Sequence, residues 1–479
     1  MVEEPNKSQL SLAWKEVWVL VALSLAFRYC LSLNPFSGKN TPPMFGDMEA
    51  QRHWMEITVN LPLYDWYRNT TENDLMYWGL DYPPLTAFHE YCMGRIAKWW
   101  YPEMVELGSS RGFETDQSIL FMRCSVLIAD CLVYIPACVF FLRTCLRGFS
   151  YEKQRRCFLL MLFMPPLVLI DHAHFQYNAV CLGFVLLAIT CVSLDWDCVG
   201  SFFFVMAIGY KQIALYYSLV FFVWLLRKCF VKGPLHLVRI GTTVVLSFAL
   251  LFFPFLLHLP EDLTPVESLL HVVHRMFPWD RWLFEDKVAS FWCTVNNVIK
   301  LNRLFSAERL KLLCTLLTLA ACLPSLLLLW RKPSLPSALF SLFSCALSFF
   351  LFSYQVHEKT ILFPLLPMVL LAPSEPEMAM VFTYFASYSM IPLYAKDHNL
   401  LMTVAIIVGF LVLVPKEDLS KGWRLLMCFS VLVFGYYAFP PPARYPDLHS
   451  VFLSAFSCFV FSLFYLVMLK KQWEAAKTV

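Results

Sequence analysis

Long apolar runs alternate with short polar breaks along this chain, and the runs approach or exceed the roughly 17–25 residues that cross a bilayer. In the first half they cover 15–34, 118–142, 157–171, 178–194, 199–209, 213–226 and 239–258. After a polar interval they resume at 312–330, 336–353, 360–373, 379–395, 398–414, 424–439 and 448–469. This pattern predicts an all-α polytopic membrane protein with about fourteen transmembrane helices. The run Val199–Leu226 is interrupted by Gly209, Tyr210, Lys211 and Gln212, and reads as two short, partly re-entrant helices. Val288–Ile299, with Asn296 and Asn297 inside it, is too short and polar to span.

Two intervals are too polar for the bilayer, residues 35–117 and about 259–311. Within the first, Ala50–Val59 and Leu85–Trp100 have helical patterns rich in Trp, which predicts helices lying in the interface plane. No internal repeat, low-complexity segment or linker divides the chain, so residues 1–479 read as one membrane domain carrying two large loops.

Lys and Arg give the orientation, because positive loops stay in the cytosol. Three clusters mark that side: Arg143, Arg147, Lys153, Arg155 and Arg156; Arg227, Lys228, Lys232 and Arg239; and Lys470 with Lys471. Both termini are then cytosolic, and the first span serves as signal and anchor. The loop 35–117 carries 12 acidic against 6 basic residues and faces the other side. Asn69-Thr70-Thr71, an N-glycosylation sequon, agrees with a luminal loop.

Composition narrows the function classes. Hydrophobic residues make up 59% of the 479, and charged ones 15%, against about 25% in a soluble domain. A net charge of +3 without a long basic tract gives nucleic acid nothing to bind. Most of the 17 cysteines lie in apolar runs, where Cys acts as a small hydrophobe. Cys92 and Cys293 fall outside the bilayer core, which leaves a disulfide between them open. No metal-ligand spacing, phosphate-cradling glycine loop or nucleotide fingerprint occurs, so no cofactor is expected and a donor carried in the membrane fits better than a nucleotide sugar.

Ionisable groups at membrane depth are costly and mark sites by default. Asp47 opens a helical stretch at the start of the first large loop, where it reads either as a helix cap or as a general base accepting a proton from an acceptor hydroxyl. Asp81, before Tyr82-Pro83-Pro84, either caps the helix near Leu85 or orients a sugar hydroxyl. His174, Gln176, Tyr177 and Asn178 form a short turn that grips a polar headgroup or satisfies its own backbone. Lys211, between two half-spans, needs an anion, either a phosphate or a carboxylate. His357, Glu358 and Lys359 pack three ionisable groups between two spans, suited to a phosphate leaving group or to pairing among themselves. Arg281 is a further candidate contact, in a stretch from Arg275 to Lys287 that reads equally as a solvated amphipathic surface.

The stretches Pro43–Thr58, with Gly46-Asp47-Met48-Glu49 at its centre, and Tyr77–Ala87, with Gly79-Leu80-Asp81-Tyr82-Pro83-Pro84, closely resemble the endoplasmic-reticulum glucosyltransferases that use dolichyl-phosphate glucose. Ser110-Arg111-Gly112, His174-Phe175-Gln176-Tyr177-Asn178, Leu283–Ala289 and Gln355-Val356-His357-Glu358-Lys359 continue the resemblance over most of the chain. It implies a GT-C membrane fold and an inverting, metal-independent transfer of glucose from dolichyl-phosphate glucose. The acceptor implied is the lipid-linked oligosaccharide Man9GlcNAc2-diphosphodolichol, which receives its first α-1,3-linked glucose in the reticulum membrane. Asp47 matches the family's catalytic base, His357 a histidine at the donor phosphate, and Glu358 and Asp81 acidic positions of the site. The segment Glu49–Trp54 favours the first-glucose enzyme over its sister that adds the second glucose, while Met48 stands where an aromatic residue is usual. A polytopic lipid or solute transporter is the alternative from another class; the large loops are unnecessary for transport, and the repeats transporters often carry are not visible.

Overall fold

The structure is a computed structural model that describes residues 11–277, 287–413 and 419–477. Every apolar run named above is helical, and among the described residues there is no strand. In chain order the helices of the first half are α1 (Trp14–Ser32), α2 (Asp47–Asn60), α3 (Pro84–Trp100), α4 (Asp116–Thr144), α5 (Tyr151–Phe175), α6 (Asn178–Ser193), α7 (Asp197–Tyr210), α8 (Gln212–Lys232) and α9 (Pro234–Leu256). There follow α10 (Pro265–Met276), α11 (Phe291–Val298), α12 (Ala307–Arg331), α13 (Leu335–Phe352) and α14 (Leu362–Leu370), the last entered through a 3-10 turn at Glu358–Ile361. The chain closes with α15 (Pro376–Ser389), α16 (Ile391–Lys396), α17 (Leu400–Leu413), α18 (Lys421–Gly435) and α19 (Leu448–Lys477).

Seven of these, α4, α5, α8, α9, α12, α13 and α19, are long and apolar enough to cross a membrane. The chain is thus a multi-pass, all-helical membrane protein. The other runs fold as helices too short or too polar to cross by that measure. Of the pair that meets at Lys211, α7 is short, as expected, whereas α8, with 21 residues, is long and apolar enough to cross and is not the short helix expected there. α11 is a short helix of 8 residues, in keeping with a segment too short to span.

Two of the long helices are distorted where the site needs them. α4 widens into a π-turn at Asp130–Tyr134, just before Pro136, whose missing N–H cannot serve the usual ladder. α5 breaks at Pro165-Pro166 and ends in a π-turn over Leu169–Phe175. That ending leaves carbonyls without intrahelical donors. Arg123 of α4 supplies them, bonding the His172 carbonyl, the Ala173 carbonyl at 3.0 Å and the Asn34 carbonyl beyond α1 at 3.1 Å.

One apolar core runs through the bundle from Leu12 to Met468. A smaller one gathers Trp54, Ile57, Trp66, Leu80, Phe255 and Met276, so the first large loop and the segment around α10 pack on each other. Arg275, which the sequence left open between a site contact and a solvated surface, reinforces that contact by donating to the carbonyls of Gly79 at 2.7 Å and Leu80 at 3.1 Å.

α2 departs from the expected interfacial helix. Met48 through Thr58 are all buried, so it has no solvent or lipid face to lay on a membrane. Its polar residues are satisfied internally: Arg52 forks onto both oxygens of Glu49 at 2.7 Å, reaches Glu56 at 2.8 Å, and donates to Ser110 at 2.7 Å. α3 does show the expected aromatic exposure, at Tyr91, Trp99 and Trp100, with Ile96 exposed beside them. Cys92 and Cys293 are not joined by a disulfide, so the bridge left open by the sequence is not formed.

Candidate active site

Gly46 and Asp47 start the site. The chain before α2 crosses Ser37 so closely that a Cβ on Gly46 would lie 2.2 Å from the Ser37 carbonyl oxygen, and only glycine fits there. Gly46 is the N-cap and Asp47 the first helical residue; no side chain caps this helix. The capping reading of Asp47 therefore fails, and its carboxylate points elsewhere. A single oxygen, Oδ2, receives Nε2 of Gln176 at 2.5 Å and Nζ of Lys359, and lies 2.9 Å from Nε2 of His174.

These partners come from distant elements. His174 sits in the π-turn ending α5, not in a loop as the sequence suggested, and Gln176 follows in extended backbone. The turn is fixed beneath them by buried charge. His172 Nε2 lies 2.9 Å from Asp130 Oδ2, which Arg28 of α1 also meets at 2.8 Å. Asp171 accepts from Asn178 and from the Ala179 N–H, both at 2.7 Å, and so closes the start of α6. Lys359 enters from the turn between α13 and α14. The sequence offered it to a donor phosphate or to a neighbouring charge; in the structure its Nζ meets Asp47.

The Asp47 side chain is 19% exposed. Burial pushes its carboxyl up, but Lys359 and then His174 outweigh that and hold it well below the usual carboxylate range. The group is ionised at neutral pH, with its other oxygen outside these three contacts.

Lys211 joins one step further out. It is buried, and its Nζ donates to Gln176 Oε1 at 3.2 Å and Asn178 Oδ1 at 2.5 Å, over the Tyr82 ring. Tyr82 in turn donates to Gln176 at 3.2 Å. Asp81 does not cap α3, whose N-cap is Pro83; its carbonyl accepts from Gln212 at 3.2 Å. Tyr177 is not part of the cluster, since its hydroxyl meets Ser125 Oγ at 2.6 Å in the protein interior. His357 is exposed, and Glu358 lines a cavity of about 320 Å³ together with Lys287, Ser389, Lys396, Tyr437 and Ser450. Asn69 is exposed. Arg281 lies outside the described residues. Among the described residues no group of three or more His, Cys, Asp or Glu side chains is arranged to hold a metal ion.

Sequence reading missed Asp397, whose Oδ2 lies 2.5 Å from Nδ1 of His174, and the supporting charges Arg28, Arg123, Asp130 and Asp171. Arg28, Arg123 and Asp130 fall inside predicted spans, where an ionisable residue is itself a signal. Asp397 is 223 residues from its partner and carries no local signal.

Fold and site together define a polytopic membrane protein with one carboxylate-centred polar cluster at the end of a long helix. The chain belongs to the ALG6, ALG8 glycosyltransferase family, whose model matches residues 24–467. It is 42% identical to the chicken (Gallus gallus) dolichyl pyrophosphate Man9GlcNAc2 alpha-1,3-glucosyltransferase, over 95% of this chain and 96% of that one. The corresponding Drosophila melanogaster protein, named as a probable enzyme of the same kind, is 41% identical over 94% and 97%. That of Arabidopsis thaliana, also named as probable, is 38% identical over 92% and 87%.

Proposed function

We propose that this protein transfers glucose from dolichyl-phosphate glucose to Man9GlcNAc2-diphosphodolichol, forming the first α-1,3-linked glucose with inversion, and that Asp47 is the base. The observation that carries this is the Asp47 carboxylate, kept ionised by Lys359 and His174 at the mouth of a membrane-embedded cluster. In the reaction the acceptor's 3-hydroxyl gives its proton to Asp47 as its oxygen bonds the anomeric carbon. The bond from that carbon to the phosphate oxygen breaks on the opposite face, and dolichyl phosphate leaves with the electron pair. The cavity beside Glu358, about 320 Å³, has the volume for a glucosyl phosphate; its wall carries Lys396 and a Lys287–Asp447 pair, and His357 stands beside Glu358 in sequence. Gln176 and Asp81 are offered to sugar hydroxyls.

The placement proposed is the reticulum membrane, with about fourteen crossings and both large loops in the lumen. Its support is the geometry of α5, 25 residues long and apolar enough to cross a membrane: Lys153, Arg155 and Arg156 lie in its first turns and His174 in its last. α8 repeats the arrangement, running from beside Lys211 to Lys228 and Lys232.

Microsomes that lack the native activity, given this chain with dolichyl-phosphate glucose and Man9GlcNAc2 lipid, are expected to make the α-linked monoglucosylated lipid. No product from well-expressed wild type overturns the reading. Asp47→Asn is expected to lower kcat by about 10²–10⁴-fold with KM little changed.

A further inference from the structure

His174 is held between two carboxylates. Its Nε2 faces Asp47 Oδ2 at 2.9 Å and its Nδ1 faces Asp397 Oδ2 at 2.5 Å, and the His174 and Asp397 side chains are 2% and 4% exposed. A carboxylate can only accept, so each ring nitrogen needs a proton to satisfy its neighbour. A neutral imidazole carries one proton and serves one side at a time. The partner on Nδ1 therefore governs what Nε2 can do for Asp47.

We infer that Asp397 is a positioning residue for the transfer reaction: by bonding Nδ1 it fixes the His174 ring so that Nε2 remains directed at Oδ2 of Asp47. Asp397 lies in the turn between α16 and α17, 223 residues from His174 in sequence. The turn is anchored at both ends. The Asp397 N–H bonds the Leu393 carbonyl, and Asn399 Nδ2 donates at 2.7 Å to the Pro35 carbonyl, on the strand of chain that leads from α1 to Asp47. Arg123 ties the same neighbourhood together from the other side, through Asn34 and Ala173. The base, its histidine and the carboxylate behind the histidine thus come from three elements held to one frame.

Without the Asp397 carboxylate the ring loses the acceptor on Nδ1. It can then rotate or protonate on the wrong nitrogen, and Oδ2 of Asp47 keeps only Gln176 and Lys359. Behind a metal-bound histidine such a carboxylate is worth a factor of about 10–100, and a loss of that order is expected here. Because Asp397 is buried behind His174, substrate affinity should be spared.

The inference rests on Asp47 being the base, and the test separates the two. Full-length protein is purified in detergent, checked for monodispersity and thermal transition, and assayed with both lipid substrates. Asp397→Asn is expected to lower kcat about 10–100-fold with both KM values within twofold, and Asp397→Glu to recover part of the loss. In a His174→Gln background Asp397→Asn should change kcat by less than twofold, because the residue through which it acts is gone. Losses that multiply in the double variant, or a raised KM at unchanged kcat, overturn the inference. If Asp397→Asn does not fold, Asp397→Glu carries the same comparison in both backgrounds. Normal turnover by Asp47→Asn removes the base reading, whereas an inactive Asp47→Asn beside a fully active Asp397→Asn removes this inference alone.

Discussion

Gly94 of α3 lies against the backbone of Met55 in α2, so that a Cβ on Gly94 would sit 2.7 Å from the Met55 carbonyl oxygen. The two helices meet there without an intervening side chain, and α2 is the helix whose first residue is Asp47.

Gly94→Ala must therefore push α3 off α2. Overpacking of this kind costs about 1–3 kcal/mol, and the thermal transition of the detergent-purified protein should fall accordingly. Gly241→Ala is the control: it lies within α9 with nothing within 4 Å of an added Cβ. There alanine should be neutral or raise stability by up to about 1 kcal/mol through better helix propensity. A Gly94→Ala protein as stable as wild type would show that the helices can slide apart freely.

Two buried carboxyls on the same pair of helices should give opposite pH dependences. Burial raises Glu56, but His53, Arg52 and the Gly108 N–H outweigh it and bring the group down to about 2. Its ionised form thus stabilises the fold above the ordinary value of 4.5, and that contribution, roughly 3 kcal/mol, is lost as pH falls from 4.5 toward 2. Glu90 is the reverse. Both its oxygens are buried without a hydrogen-bond partner, and burial holds it well above 4.5. The folded state keeps that proton while the unfolded chain releases it, so stability falls as pH rises above 4.5, with a slope of up to about 1.4 kcal/mol per pH unit. Glu90→Gln should raise the thermal transition at pH 7–8 and make no difference near pH 4. A variant destabilised at pH 8 would show that Glu90 is charged and paired.

Much of the architecture was legible because a bilayer leaves few choices: every apolar run became a helix, and the break at Gly209–Gln212 became the joint between α7 and α8. Asp47 stood out because it opens the first large loop soon after α1; which three side chains would meet it did not. The character of α2 was not. Its polar face reads as solvent-exposed until Glu49, Arg52, Glu56 and Ser110 are seen to satisfy one another, which only tertiary contact decides. The partners of Lys359 and Lys211 were illegible on the same ground: a lone cation in sequence does not say which oxygen it will meet.

Lys359 now carries a different expectation from a phosphate ligand. If it serves Asp47, Lys359→Met removes the main opposing charge and lets burial raise the carboxyl toward and past its ordinary value. Asp47 must be ionised to act, so activity should be lost earlier on acidification, and the acid limb of kcat/KM should move to higher pH. Lys359→Arg should keep the limb in place. A raised KM for dolichyl-phosphate glucose, with the acid limb unmoved, would return Lys359 to the phosphate.

The sidedness of the site can be read from Cys92, an exposed free thiol on α3 in the first large loop. Thiols react as thiolates and need access to the reagent. If residues 35–117 face the lumen, a membrane-impermeant maleimide added to sealed microsomes should leave Cys92 unmodified, and the same reagent after detergent permeabilisation should label it. Cys145, at the far end of α4 beside Arg143 and Arg147, provides the opposite reference: half-buried and adjoining the basic cluster, it should label slowly but without any need for detergent. Labelling of Cys92 in intact vesicles would place the Asp47 loop in the cytosol. The basic clusters would then face the lumen, the reverse of the positive-inside arrangement on which the luminal assignment of the transfer reaction rests.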